Sequence, residues 1–214
     1  MSMSGRGSSL SPDPGSRVSS DSGATRASLL QRARMRDESA WCELVELYSP
    51  MILGWCRKCR ASVDVTADCV QEVFASVSRS LADFHFSGTP GAFRGWLWII
   101  VRNKLRDLVR REARHARSEG GSSALVKLAE IIDPNSIPDE EPSDADALRS
   151  LNQRGLLQIR DSFEPQTWRA FTRCVVDGLP TDMVAQELNT TSASVRQSRS
   201  RVLRRLRQQL GDAT

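Results

Sequence analysis

Long apolar runs are missing from this chain. No stretch of roughly 18 apolar residues occurs, so no membrane-spanning helix and no membrane insertion are expected. The N-terminus also lacks the apolar core of a secretory signal peptide, which points to a cytoplasmic protein. Histidine is scarce, with two in 214 residues, and tyrosine occurs once. His85 and His115 stand in aromatic or basic surroundings, and the acids scatter over helix surfaces and one acidic segment. That distribution offers neither clustered metal ligands nor a nucleophile beside a base. No catalytic residue, metal or cofactor is therefore expected, and the chain does not read as an enzyme. The five cysteines, Cys42, Cys56, Cys59, Cys69 and Cys174, are an odd number in a cytosolic chain, which argues against a disulfide framework. Cys56 and Cys59 have CxxC spacing but no second pair, and read as small buried helix residues.

What the chain does have is charge sorted by position. Its 30 basic and 26 acidic residues leave a net charge of +4. Basic residues dominate from Arg102 to Arg117 and acidic ones from Glu130 to Asp146, while Arg196 to Arg207 carries arginines and no acid. Two basic segments separated by an acidic one suit two contacts with a polyanion.

The first basic segment belongs to the stretch Phe93 to Arg117. At helical period Leu97, Ile100, Val101, Leu105 and Leu108 form one stripe. Arg102, Asn103, Arg106, Arg110, Arg111 and Arg114 occupy the remaining surface. Guanidinium groups on an outer face suit phosphate, because each can donate two parallel hydrogen bonds. Just upstream, Phe84-His85-Phe86-Ser87 and the turn residues Gly88, Pro90 and Gly91 place stacking rings next to those cations. Trp96 reads as core; spacing alone leaves Trp98 open.

Residues 1–24 are rich in Ser, Gly and Pro, cannot bury enough surface to offset ordering entropy, and read as a disordered leader. A helical domain is expected over 25–117. It contains an apolar helix from Ser39 that Pro50 is expected to break or kink. A second helix opens near Asp64, with Val70, Val73, Phe74, Val77 and Leu81 inward and Asp68, Gln71 and Glu72 on other faces. Residues 118–147 read as a flexible acidic linker. At ~3.3 Å per residue, its roughly 25–30 extended residues would reach about 80–100 Å.

A second domain is expected over 148–214. Pro165 fits the first turn of a helix that Gly178 closes. A short helix follows from Thr181 to Leu188, then a turn at Asn189, then a helix capped by Thr191 or Ser192. Ala185, the short turn and Val195 fit a helix-turn-helix, with Arg196, Gln197, Ser200 and Arg201 on the exposed side of the second helix. The fold class is all-α: two small helical domains joined by the linker, the C-terminal one a helix-turn-helix.

These motifs together resemble the extracytoplasmic-function sigma factors, the two-domain class of bacterial RNA polymerase sigma subunits. The resemblance covers about residues 39–117 and 150–210. It rests on D-x-x-x-D-x-x-Q-E-V-F at Asp64, Asp68, Gln71, Glu72, Val73 and Phe74, and on F-x-x-W-L-x-x-I-x-x-N at Phe93, Trp96, Leu97, Ile100 and Asn103. Three features depart from the family pattern: Asn189 in place of the usual turn glycine, Pro180 in place of a Ser cap, and Gln197-Ser198 after the first recognition arginine. The resemblance implies promoter recognition, DNA melting and transcription initiation. It assigns Asp68, Gln71 and Glu72 to the β′ clamp helices of core polymerase. Phe84, His85, Phe86, Ser87, Asn103, Arg106 and Arg110 fall to the proximal promoter element, and Arg196, Gln197, Ser200 and Arg201 to the distal one. The β flap is a further implied contact, and an anti-sigma factor an open one. Read from the residues alone, a stand-alone helix-turn-helix regulator is the alternative.

Overall fold

The computed structural model describes residues 28–85, 89–119, 131–142 and 144–211. The leader, Phe86 and Ser87 therefore lie outside the described residues. Eight α-helices and no strand occur among those described: α1 Leu29–Arg34, α2 Glu38–Lys58, α3 Val63–Ser80, α4 Ala92–Glu119, α5 Ala145–Ile159, α6 Pro165–Val175, α7 Thr181–Glu187 and α8 Ser192–Gln209.

The helix starts follow from local chemistry. Ser28 and Gln31 form a reciprocal capping box at α1. The side chains of Asp37, Ser62, Asp144 and Thr191 each accept a backbone N–H in the first turn of α2, α3, α5 and α8. Pro165 opens α6, where no amide hydrogen is needed. Gly178, φ +71°, turns the chain after α6. Of the break or kink expected at Pro50, the break does not occur: α2 runs through it. Pro50 is exposed, and so is Glu46, whose carbonyl loses its amide partner to the proline.

The largest core gathers α1 to α4 around Leu44, Tyr48, Ile52, Trp55, Val73, Leu97, Val101 and Leu105. Burying such a side chain is worth about 1.5–3 kcal/mol. This core also takes in Ile137, Leu151 from α5, and Leu210 just after α8. The end of α8 reaches α1 and α2. Tyr48 Oη donates to the Leu210 carbonyl (2.7 Å), and buried Gln209 donates to Glu43 (2.8 Å) and Gln158 (2.9 Å). Two smaller clusters hold the C-terminal helices: Ala170, Val184, Ala185 and Val195 in one, and Ile159, Phe171 and Val202 in the other.

Candidate nucleic-acid interface

Along α4, Arg94, Trp98, Arg102 and Arg106 recur at every fourth position. At 1.5 Å per residue they form a ribbon about 18 Å long, which Arg110 and Arg114 extend. Trp98 is 2% exposed, packs edge-on against Trp55, and keeps its indole N–H for the Asp139 carbonyl (3.1 Å). It is therefore core with a polar edge, not a free stacking ring. Trp96 is half-buried against Phe84 and Phe93. Asn103 and Arg110 are exposed, and Arg106 is half-buried.

A strap of the acidic segment lies along this ribbon. Arg94 Nε meets Glu141 (2.8 Å). Arg102 donates to the Asp139 carbonyl (3.0 Å) and carboxylate (3.1 Å). Arg106 donates to the Ile137 carbonyl (2.7 Å) and the same carboxylate (3.1 Å). Arg94 and the strap contacts have no signature in the sequence reading.

At the N-terminal end of α4, Phe84 is buried, its ring 5.5 Å from Phe93 and 5.1 Å from Trp96. Arg34 donates to the carbonyls of Leu81 and Phe84 and fixes the start of this loop. Phe84 thus anchors the loop, whereas His85 is exposed, with Nδ1 2.7 Å from the Asp83 carbonyl.

On α3, Asp68 and Gln71 are exposed. Glu72 turns toward α4, with Arg111 at 2.8 Å and Lys104 at 3.4 Å. Partial burial pushes its carboxyl up, but the bonds from Arg111 and Lys104 outweigh that and hold it below the usual carboxylate range. Glu72 is thereby a tie between helices as well as part of the α3 surface.

In the C-terminal helices, Val195 and Val202 turn inward, leaving Arg196, Gln197, Ser200 and Arg201 exposed together on α8. Asn189 supplies the left-handed turn residue, φ +48°. Pro180 stands at the cap of α7 without a side-chain cap bond. Ser192 reaches back to Asp182 (2.5 Å), and Arg173 on α6 forks onto Glu187 (2.9 and 3.2 Å), so α7 is fixed against both neighbours. The arrangement is a helix-turn-helix whose second helix, α8, carries no acid.

Cys56 and Cys69 are both buried. The Cys56 thiol is lowered by a hydrogen bond from Cys69, and Cys69 is raised by the same bond. Burial and Cys56 push Cys59 up to about 11. Among the described residues no group of three His, Cys, Asp or Glu side chains is placed to hold a metal, and no helix is long and apolar enough to cross a membrane.

A helix-turn-helix beside a cation-lined helical core is the class of fold the described residues define. Residues 44–115 match the family Sigma-70 region 2. The chain is 30% identical over 174 residues to the ECF RNA polymerase sigma factor SigE of Mycolicibacterium smegmatis, covering 81% of this chain and 61% of that protein. It is also 30% identical over 148 residues to the probable RNA polymerase sigma factor RfaY of Xanthomonas campestris pv. campestris, covering 69% of this chain and 34% of the relative. It spans less than two thirds of the length of either. Residues 44–115 are thus a Sigma-70 region 2, and the matched residues are similar to two sigma factors, one of them of the extracytoplasmic-function type.

Proposed function

We propose that this protein is a sigma subunit that binds bacterial RNA polymerase core, recognises a two-part promoter and helps melt it for initiation. The observation that carries this reading is the pairing, in one chain, of a Sigma-70 region 2 bearing the α4 ribbon with a helix-turn-helix whose second helix, α8, carries no acid. Residues 25–117 form the unit that meets core polymerase and the proximal element. Residues 148–214 form the unit that meets the distal element, and 118–147 join them.

Asp68, Gln71 and Glu72 dock on the β′ clamp helices, and the C-terminal unit meets the β flap. His85, Phe86 and Ser87 take up an unpaired base, with Phe84 holding their loop. Asn103, Arg106 and Arg110 follow the strand backbone. Arg196 and Gln197 read base edges in the major groove, Arg suiting guanine and Gln adenine, with Ser200 and Arg201 beside them. Each contact is weak and salt-dependent alone. Polymerase makes the second contact intramolecular, which raises its effective concentration. Duplex contacts at the distal element then offset base extrusion at the proximal one, a cost of a few kcal/mol. The work of such a subunit is binding and positioning, with no covalent step, and its place is the cytoplasm.

Size-exclusion chromatography with bacterial polymerase core tests the partner. Co-elution with core, lost in a D68A/Q71A variant, is the expected result. Elution of the unchanged chain apart from core overturns the reading. A stand-alone helix-turn-helix regulator would instead bind its duplex tightly without polymerase.

A further inference from the structure

The α4 ribbon is already occupied in the free chain. Over residues 137–141 the strap offers two carbonyl oxygens and two carboxylates to Arg94, Trp98, Arg102 and Arg106. These are the acceptor types and the charge sign that a nucleic-acid backbone would bring. The strap is seated rather than draped: Ile137 is 2% exposed within the main core, and Asp144 beyond it pairs with Lys58 on α2 (3.1 Å).

Its polar grip is nonetheless loose. The Asp139 side chain is 81% exposed, against 20% and 23% for Arg102 and Arg106. Ion pairs so open to water are weak and screened by salt. The Nε–H groups of Arg102 and Arg106 are buried without an acceptor among the described residues. The strap therefore satisfies these guanidinium groups incompletely, and a run of successive phosphodiesters, each with one negative charge and two non-bridging oxygens, competes for the same donors.

We infer that residues 137–141 are a built-in stand-in for the nucleic-acid backbone, a strap that must lift from α4 before the ribbon takes phosphate. This inference rests on the proposed reading of α4 as a DNA surface. The free chain binds DNA weakly for this reason, and whatever draws the strap away exposes the ribbon.

The test is fluorescence anisotropy of the full chain with a labelled single-stranded oligonucleotide at low ionic strength. Asp139→Asn and Glu140→Gln change the charge equally at adjacent positions, but only Asp139 touches the ribbon. Because strap carbonyls persist in the first variant, Ile137→Ala supplies a second arm that unseats the strap without changing charge. D139N and I137A are expected to bind about fivefold more tightly than the parent, and E140Q as the parent does. Equal tightening by D139N and E140Q with I137A unchanged would show a diffuse charge effect and overturn the inference, as would no change in any variant. The double variant R102A/R106A separates the two layers. If it binds as the parent does, α4 is not the DNA surface and both readings fall. If it weakens binding while D139N and I137A change nothing, only the strap inference falls.

Discussion

Tyr48 donates its hydroxyl to the carbonyl of Leu210, 2.7 Å away in space and 162 residues away in sequence. This bond joins the middle of α2 to the end of α8. Gly211 follows at φ +68°, and a Cβ there would lie 2.7 Å from Leu30 and 3.2 Å from Phe93. Gly211→Ala thus meets both backbone strain and an occupied space, and is expected to cost about 1–3 kcal/mol. Tyr48→Phe leaves the shape intact and removes the buried hydrogen bond, costing about 1–2 kcal/mol. Denaturant melts of the full chain check both values. Parental stability for G211A would show that the end of α8 does not pack on α1 and α4 in solution.

Asp68 and Gln71 lie exposed on α3, away from the core. Replacing both by alanine should leave stability within about 0.5 kcal/mol of the parent. Their loss should weaken binding to polymerase core by about tenfold or more, corresponding to at least ~1.4 kcal/mol. Glu72→Ala should do both, because it also releases Arg111 and Lys104. Titration of labelled core, paired with a thermal melt of each variant, separates the two effects.

Arg196 and Gln197 share the exposed face of α8, whereas Arg204 lies farther along the helix. Alanine at Arg196 or Gln197 is expected to relax choice at one base position of the distal element by about 1–3 kcal/mol. Alanine at Arg204 should weaken binding evenly across sequences and lower the salt slope by about one. Competition among variant promoters at several salt concentrations distinguishes these patterns.

Acid should loosen the join between α2 and the end of α8. Burial pushes the Glu43 carboxyl up, but hydrogen bonds from Arg32 and Gln209, with the Arg32 charge, outweigh it and hold the group below its ordinary 4.5. The unfolded chain then binds the proton more readily than the folded one. The stabilisation is complete above about pH 4.5 and is lost as pH falls through the lower folded value. Glu72 adds in the same direction. Denaturation across this window should show stability falling with acid, and Glu43→Gln should flatten part of the fall while lowering stability at neutral pH.

The helices were legible because their apolar residues repeat at the helical period. Leu97, Val101 and Leu105 announce the buried side of α4, and Val195 and Val202 that of α8. Asn189 and Thr191 mark the turn and cap of the helix-turn-helix by their own chemistry. At Pro50 the local rule offered a break or a kink, and the helix continues there with Pro50 on its exposed side. Phe84 and Trp98 show that an aromatic residue near a basic face is not thereby open, since each ring has neighbours brought from elsewhere in the chain. The strap was illegible for a related reason. Asp139 is one acid among several in a segment without period, and its arginine partners lie 33 and 37 residues away. Nothing local tells it from Glu140.

Promoter-dependent initiation is the most direct test of the sigma assignment. Run-off transcription with bacterial core polymerase on a library of genomic fragments, with and without this chain, measures it. The account predicts discrete start sites that appear only when the chain is added and vanish with the D68A/Q71A variant. Transcription that is identical in the presence and absence of the chain would contradict it.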